Sequence, residues 1–340
     1  MRVSTDAIVA NWRWFQKRAP TAETSAVVKA NAYGLGAVEA ATALAKGGVR
    51  TFFTAACGEA LEVRAALGAG PRIFVLNGVT PEDARELAAA SLIPVLNSLD
   101  QIALWNAGAP YALHVDTGMS RLGLAPADLS AAASALKSAP QLVMSHLACA
   151  SDLGHEMNAR QCAKFVAAAA LFPKAPLSLA ATAGALIGPD FHFDMIRPGV
   201  GLYGSGGLDA DNPALSAAAT IEAPILQLRD INAGETVGYG ATYTAPKKVR
   251  CATVALGYAD GYLRSLSGRG YGVLGGAKLP LLGRVSMDLV VLDVTDCAAA
   301  RPGAWVEFLG PNAPLDELAQ LAGTAPYEIL TTFAGTVQRA

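Results

Sequence analysis

Lys29 directly follows the apolar run SAVV and opens the segment VVKANAYGLG. A lysine at the end of a buried strand needs a counter-charge or a depressed pKa, because burial disfavours the ammonium. An amine in that setting can form a Schiff base with a carbonyl compound. An ion pair with a nearby carboxylate is the structural alternative. Other polar residues stand at equivalent points. His114 and Asp116 close YALHV, and Arg121 lies five residues beyond Asp116. His146 ends QLVMS, Thr182 follows LSLA, and Arg197 leads into the glycine-rich PGVGLYG. Such glycine loops present backbone N–H groups to phosphate. Tyr33 would sit one turn above Lys29 if the segment is helical, where its hydroxyl could serve the same phosphate. Together these cations, imidazoles, hydroxyls and glycines describe a basic pocket for a phosphorylated, anionic ligand.

Those residues share one rim only if the elements beneath them repeat. Short apolar runs occur at 25–28, 51–54, 72–76, 92–96, 111–115, 141–145, 177–180 and about 193–197. Between most of them lie alanine-rich stretches with helical apolar spacing, such as GAVEAATALA and PEDARELAAA. Strands that are apolar on both faces and separated by helices imply a parallel sheet covered by helices. Eight such units make a (β/α)8 barrel of the TIM type, whose chemistry sits at the C-terminal strand ends. An open doubly wound sheet is the alternative, but no GxGxxG follows the first strand. After about residue 213 the runs become strand-like, with closely spaced Gly and Pro, and read as a mostly antiparallel β domain. The expected division is therefore an α/β barrel domain over 1–212 and a β domain over 213–340. Ser4, Thr5 and Asp6 offer an N-cap for a first amphipathic helix, which does not read as a signal peptide.

The chain has 340 residues, 52% of them hydrophobic and 16% charged, which excludes disorder as the main state. A net charge of −2 makes no electrostatic case for nucleic acid or acidic membranes. No apolar run approaches the ~18 residues of a membrane helix. Five scattered cysteines without a CxxC point to a reduced, cytoplasmic compartment. His114, Asp116 and His146 could be imagined as metal ligands of a barrel hydrolase, but no HExxH or Cys/His cluster supports a metal.

VVKANAYGLG, HVDTGMSRLG, SHLA, IRPGVGLYG, GYADGYLRSLSG and GRVSMD occur in this order along the whole chain. In this the sequence resembles the alanine racemases, pyridoxal 5'-phosphate enzymes with an N-terminal barrel and a C-terminal β domain. The resemblance implies interconversion of L- and D-alanine, supplying D-alanine for peptidoglycan, by a homodimer with shared active sites. By it, Lys29 binds the cofactor covalently and is one catalytic base. Tyr258, in GYADG, is the opposing base, contributed by the partner subunit. Arg197 faces the pyridine nitrogen, and Tyr33, Thr182, Gly199 and Val200 hold the phosphate. His146 lies between Arg197 and the Tyr258 phenol. Arg121 and the Met287 main chain face the substrate carboxylate, with Asp288 near the entrance.

Three positions depart from the family pattern. His114 stands where many members carry a lysine, often carbamylated, so another anion would have to orient Arg121. Ala181 replaces an asparagine before Thr182. TTFAGTVQR lacks a phosphate-binding tyrosine, and Gly335 falls at that place. These changes leave open a broad-specificity racemase acting on serine or larger substrates. A non-catalytic pyridoxal phosphate-binding protein would resemble the first domain alone. Tyr243, Tyr262 and Tyr271 could line an entrance or simply pack, and Asp260 is expected to fix a turn.

Overall fold

The computed structural model describes residues 1–105, 109–206 and 215–334. The expected boundary at 212/213 and Gly335 lie outside the described residues. The first barrel strand runs in two pieces, Glu23–Thr24 and Ala26–Val27, and the others are Thr51–Thr54, Arg72–Val75, Ile93–Leu96, Ala112–His114, Val143–Met144, Leu177–Ser178 and Met195–Ile196. Neighbours pair in parallel from the first strand to the seventh. The eighth closes the ring, pairing Met195 with Glu23 and Ile196 with Thr24, while a parallel bridge joins Ala181 to Arg197 on its other side. Both faces of the central strands are buried, as in Thr51–Thr54 and Ile93–Leu96, which explains their unbroken apolar runs.

Helices alternate with the strands. The one before the barrel, Thr5–Arg18, is capped by Ser4, whose hydroxyl accepts from the Ala7 N–H at 3.1 Å. It buries Ile8, Trp12 and Phe15, and the Trp12 indole donates to Thr24 O at 2.9 Å. This ties the helix to the strand that ends just before Lys29.

The C-terminal sheet is built on a long strand, Ala219–Ile231. That strand pairs antiparallel with Val249–Val254 on one side and Trp305–Leu309 on the other, and the sheet extends to Val290–Asp293, Tyr271–Leu274 and Ala277–Pro280. Arg2–Val3 also pairs with the long strand, so the start of the chain joins the later sheet. Two helices, Leu315–Ala322 and Pro326–Ala334, follow. No helix among the described residues is long and apolar enough to cross a membrane.

Candidate active site

A cavity of about 540 Å³ opens at the C-terminal ends of the barrel strands. Lys29, Tyr33, His114, Arg121, His146, Thr182, Arg197, Gly199 and Val200 all line it. The strand-end residues singled out by spacing therefore meet at one rim, except Asp116, which does not line the cavity.

Lys29 leaves the first strand into an unusual turn. Ala30, Asn31, Ala32 and Tyr33 take φ values of 52°, 54°, 53° and 56°, so the turn is left-handed. Tyr33 is consequently not one right-handed turn above Lys29, as the spacing had suggested. Asn tolerates this region, but each Ala or Tyr in it costs about 1–2 kcal/mol. Local bonds oppose that cost: Gly34 N–H donates to Ala30 O, Gly36 N–H to Asn31 O, and Ala37 N–H to Asn31 Oδ1. Tyr33 packs on Tyr203 and Tyr327, with ring centroids 4.9 and 5.7 Å away.

Burial, helped by the charge of Arg121, holds the Lys29 ammonium below its usual pKa, with Glu59 acting in the opposite sense. Among the described residues Lys29 is in no ion pair. The alternative of a structural ion pair is thus not what the chain builds.

Arg197 is 3% exposed and sits against neutral partners. Its Nη atoms donate to Ser178 Oγ, to Ser145 O at 2.6 Å and to Leu179 O at 3.3 Å. None of these bonds goes to His146. Burial works against its charge, yet a guanidinium stays protonated in a protein. A buried cation held only by neutral oxygens favours an anionic or electron-rich neighbour.

Beside it, Thr182 Oγ1 accepts from the Gly199 and Gly201 N–H groups at 3.0 and 3.1 Å. A Cβ at Gly199 would fall 2.3 Å from the Tyr33 hydroxyl, so glycine is required for the phenol to reach this loop. Burial raises the Tyr33 pKa, which keeps the phenol a donor. With the Gly199 and Gly201 N–H groups held by Thr182 Oγ1, the Thr182 and Tyr33 hydroxyls beside the turn Val200–Tyr203 are left as donors that suit phosphate.

Both imidazoles are neutral. Burial, then Arg197, push His114 down to about 4. Burial, then Arg197 and Arg121, push His146 down to about 3. His146 is carried on a loop held by Gln161, which is fully buried: its Nε2 donates to His146 O at 2.9 Å, and its Oε1 accepts from Ala148 N–H at 2.8 Å. Arg121 follows a loop shaped by Asp116, whose Oδ1 accepts from the Gly118, Met119 and Ser120 N–H groups.

Tyr258 and Met287 do not line this cavity. They lie together on the β domain, 40% and 54% exposed. The Ala259 N–H donates to Met287 O at 2.9 Å, and Tyr258 N–H to Ser286 O at 3.0 Å. A Cβ at Gly257 would fall 2.1 Å from Met287 O, so the two segments approach this closely only with glycine there. Asp260 Oδ2 accepts from Gly257 N–H and closes the turn, as expected. Tyr262 and Tyr271 are buried within the β domain and pack there, with the Tyr271 hydroxyl on Glu317. His155 caps a helix and His192 bonds to Ala185 O.

Several lining residues escaped the sequence reading, Asn77, Leu122 and Tyr327 among them. Tyr327, at the start of the last helix, reaches the cavity beside Tyr33. The C-terminal segment therefore does supply a tyrosine, eight residues before Gly335. Its only local signal was a position next to the helix-starting Pro326.

Comparison with known proteins agrees with this architecture. Residues 3–206 match the model of the alanine racemase N-terminal domain, and residues 218–340 that of the C-terminal domain. Alanine racemase of Rhodospirillum rubrum is 47% identical over 354 residues, which cover 100% of this chain and 94% of the relative. A crystal structure of alanine racemase from Bartonella henselae with covalently bound pyridoxal phosphate superposes with a TM-score of 0.91 at 38% identity, covering 97% of this chain and 96% of that one. The biosynthetic alanine racemase from Pseudomonas aeruginosa matches with a TM-score of 0.91 at 36% identity, covering 97% and 95%. With both domain models matched in sequence order and relatives aligned end to end, the chain belongs to the alanine racemase family.

Proposed function

We propose that this chain racemises alanine with pyridoxal 5'-phosphate held in the barrel cavity. The observation that carries this reading is the Lys29 amine, held below its usual pKa in a cavity that also contains Arg197 and the Thr182–Gly199 cradle. When bound, the cofactor supplies an electron sink that acidifies the substrate α-proton.

The chain's own groups fit that task. Lys29 offers an amine for the covalent link and then a base on one face. Tyr33, Thr182, Gly199, Val200 and the unforeseen Tyr327 line the cavity and would hold the phosphate. Arg197 can donate but not release a proton, so it would hold the cofactor's ring nitrogen unprotonated and keep the sink weak. That disfavours side reactions such as transamination. Arg121 offers its charge to the substrate carboxylate.

The second base has to come from the opposite face, because racemisation removes a proton from one side and returns one to the other. Tyr258 takes that role in this reading. It is exposed, away from its own chain's cavity, and paired with the Met287 main chain as one unit. A twofold homodimer that places this unit over the partner's barrel mouth completes two sites. The positive charges of Arg121 and Arg197 in that cavity would favour the Tyr258 phenolate. A relative described as biosynthetic supports a role in D-alanine supply; in this reading the D-alanine serves peptidoglycan and the enzyme works in the cytoplasm. Serine and larger amino acids remain the second reading, because Ala181 and His114 alter the cavity wall.

Reduction with borohydride in the presence of pyridoxal phosphate should fix the label on the peptide containing Lys29. Label on Lys46 or Lys164 overturns the assignment.

A further inference from the structure

We infer that Glu59 is the positioning residue for Lys29, its carboxylate pinning the left-handed turn that carries Lys29 and Tyr33 to the end of the second barrel strand. The inference rests on the reading of Lys29 as the cofactor-binding amine.

Glu59 lies in the first turn of the helix Cys57–Leu67. Its two oxygens serve two different loops. Oε1 accepts from Ala30 N–H at 2.8 Å, and Oε2 accepts from Ala55 N–H at 2.7 Å and from Ala56 N–H at 3.4 Å. Ala30 immediately follows Lys29 and is the first of the four left-handed residues. Ala55 follows the strand Thr51–Thr54 and itself lines the cavity.

Within the turn, bonds run from Ala32 back to Val28 and from Gly34, Gly36 and Ala37 into residues 30 and 31, and just ahead of it Val28 N–H donates to Phe53 O at 2.9 Å. The bonds within the turn shape it, and the Val28 bond fixes the chain ahead of Lys29. The Glu59 carboxylate fixes it on the far side, at the first left-handed residue, and charge-assisted bonds of this kind are about twice as strong as neutral ones. Without it, Ala30 can relax toward the right-handed region that L-residues prefer, and Lys29 swings with it. The same carboxylate is the negative charge acting on Lys29, against desolvation and Arg121. A simpler role would be to cap its own helix through Ala55 and Ala56 alone.

Glu59→Gln separates the two roles. A carboxamide has one acceptor oxygen and cannot serve both loops. In the holoenzyme, amide hydrogen exchange at Ala30–Gly34 should speed up. Release of pyridoxal phosphate on dilution should become about 10- to 100-fold faster, the loss of one charge-assisted bond. Glu62→Gln, exposed on the same helix, should change neither. Faster exchange confined to residues 55–59, with cofactor release at the wild-type rate, would overturn the inference even if the melting temperature fell. Should Glu59→Gln fail to fold, Glu59→Asp, too short to span both loops, is read by the same two measurements. A wild type carrying no cofactor on Lys29 would instead overturn the functional reading, and exchange at Ala30 would still decide the clamp.

Discussion

Asn97 determines which nitrogen of His114 carries a proton. The Asn97 carboxamide donates to Leu76 O at 3.1 Å and to Val95 O at 2.7 Å, so its Oδ1 is the atom facing His114 Nδ1 at 2.9 Å. Nδ1 must then be the donor. In the neutral ring Nε2 is left bare, and it makes no hydrogen bond among the described residues. His114 and Arg121 line the same cavity, so an uncharged imidazole with a bare nitrogen shares it with that guanidinium and no lysine stands at position 114.

This arrangement predicts a racemase that does not depend on dissolved carbon dioxide. Stripping bicarbonate from the assay should leave the rate unchanged, and the intact mass should show no added carbon dioxide. A carbamylated lysine beside Arg121 in electron density would defeat the prediction.

The two neutral imidazoles also set an acid limit on stability. Their folded pKa values, about 4 and about 3, lie below the unfolded value of about 6.5. Between those values the unfolded chain binds more protons, so stability is full above pH ~6.5 and declines as pH falls toward about 4. Each ring contributes a slope of about 1.4 kcal/mol per pH unit in that window. Urea unfolding of the cofactor-free chain at pH 7, 6 and 5 measures it. His114→Gln should remove one ring's share, and an unaltered slope in that variant would count against the buried neutral ring.

Complementation tests the shared site. Lys29→Ala and Tyr258→Phe homodimers should each be nearly inactive, since one face lacks its base. Refolded together in equal amounts, half of the dimers should be mixed, and one of two sites in each should regain both residues. Recovery should approach about a quarter of wild-type activity. Verified mixed dimers without recovery would place both bases on one chain.

Much of this was legible in the residues themselves. Eight apolar runs marked eight strands, and a parallel barrel brings every strand's C-terminal end to one rim, so Lys29, His114, His146, Thr182 and Arg197 could be gathered from spacing alone. Motif order carried the family. What spacing could not supply depended on contacts between residues distant in sequence. KANAY reads locally as a right-handed turn, because Ala and Tyr avoid positive φ; its left-handed form appears only with the hydrogen bonds and packing of the assembled barrel around it. Asn97 and His114 are neighbours because their strands pair in parallel. Tyr327 enters the cavity, and Arg2–Val3 joins a sheet more than two hundred residues later, because of how the two domains pack. Local propensity and period determine which elements form and which way their ends face. Protonation, hand and reach are decided by which distant groups those ends meet.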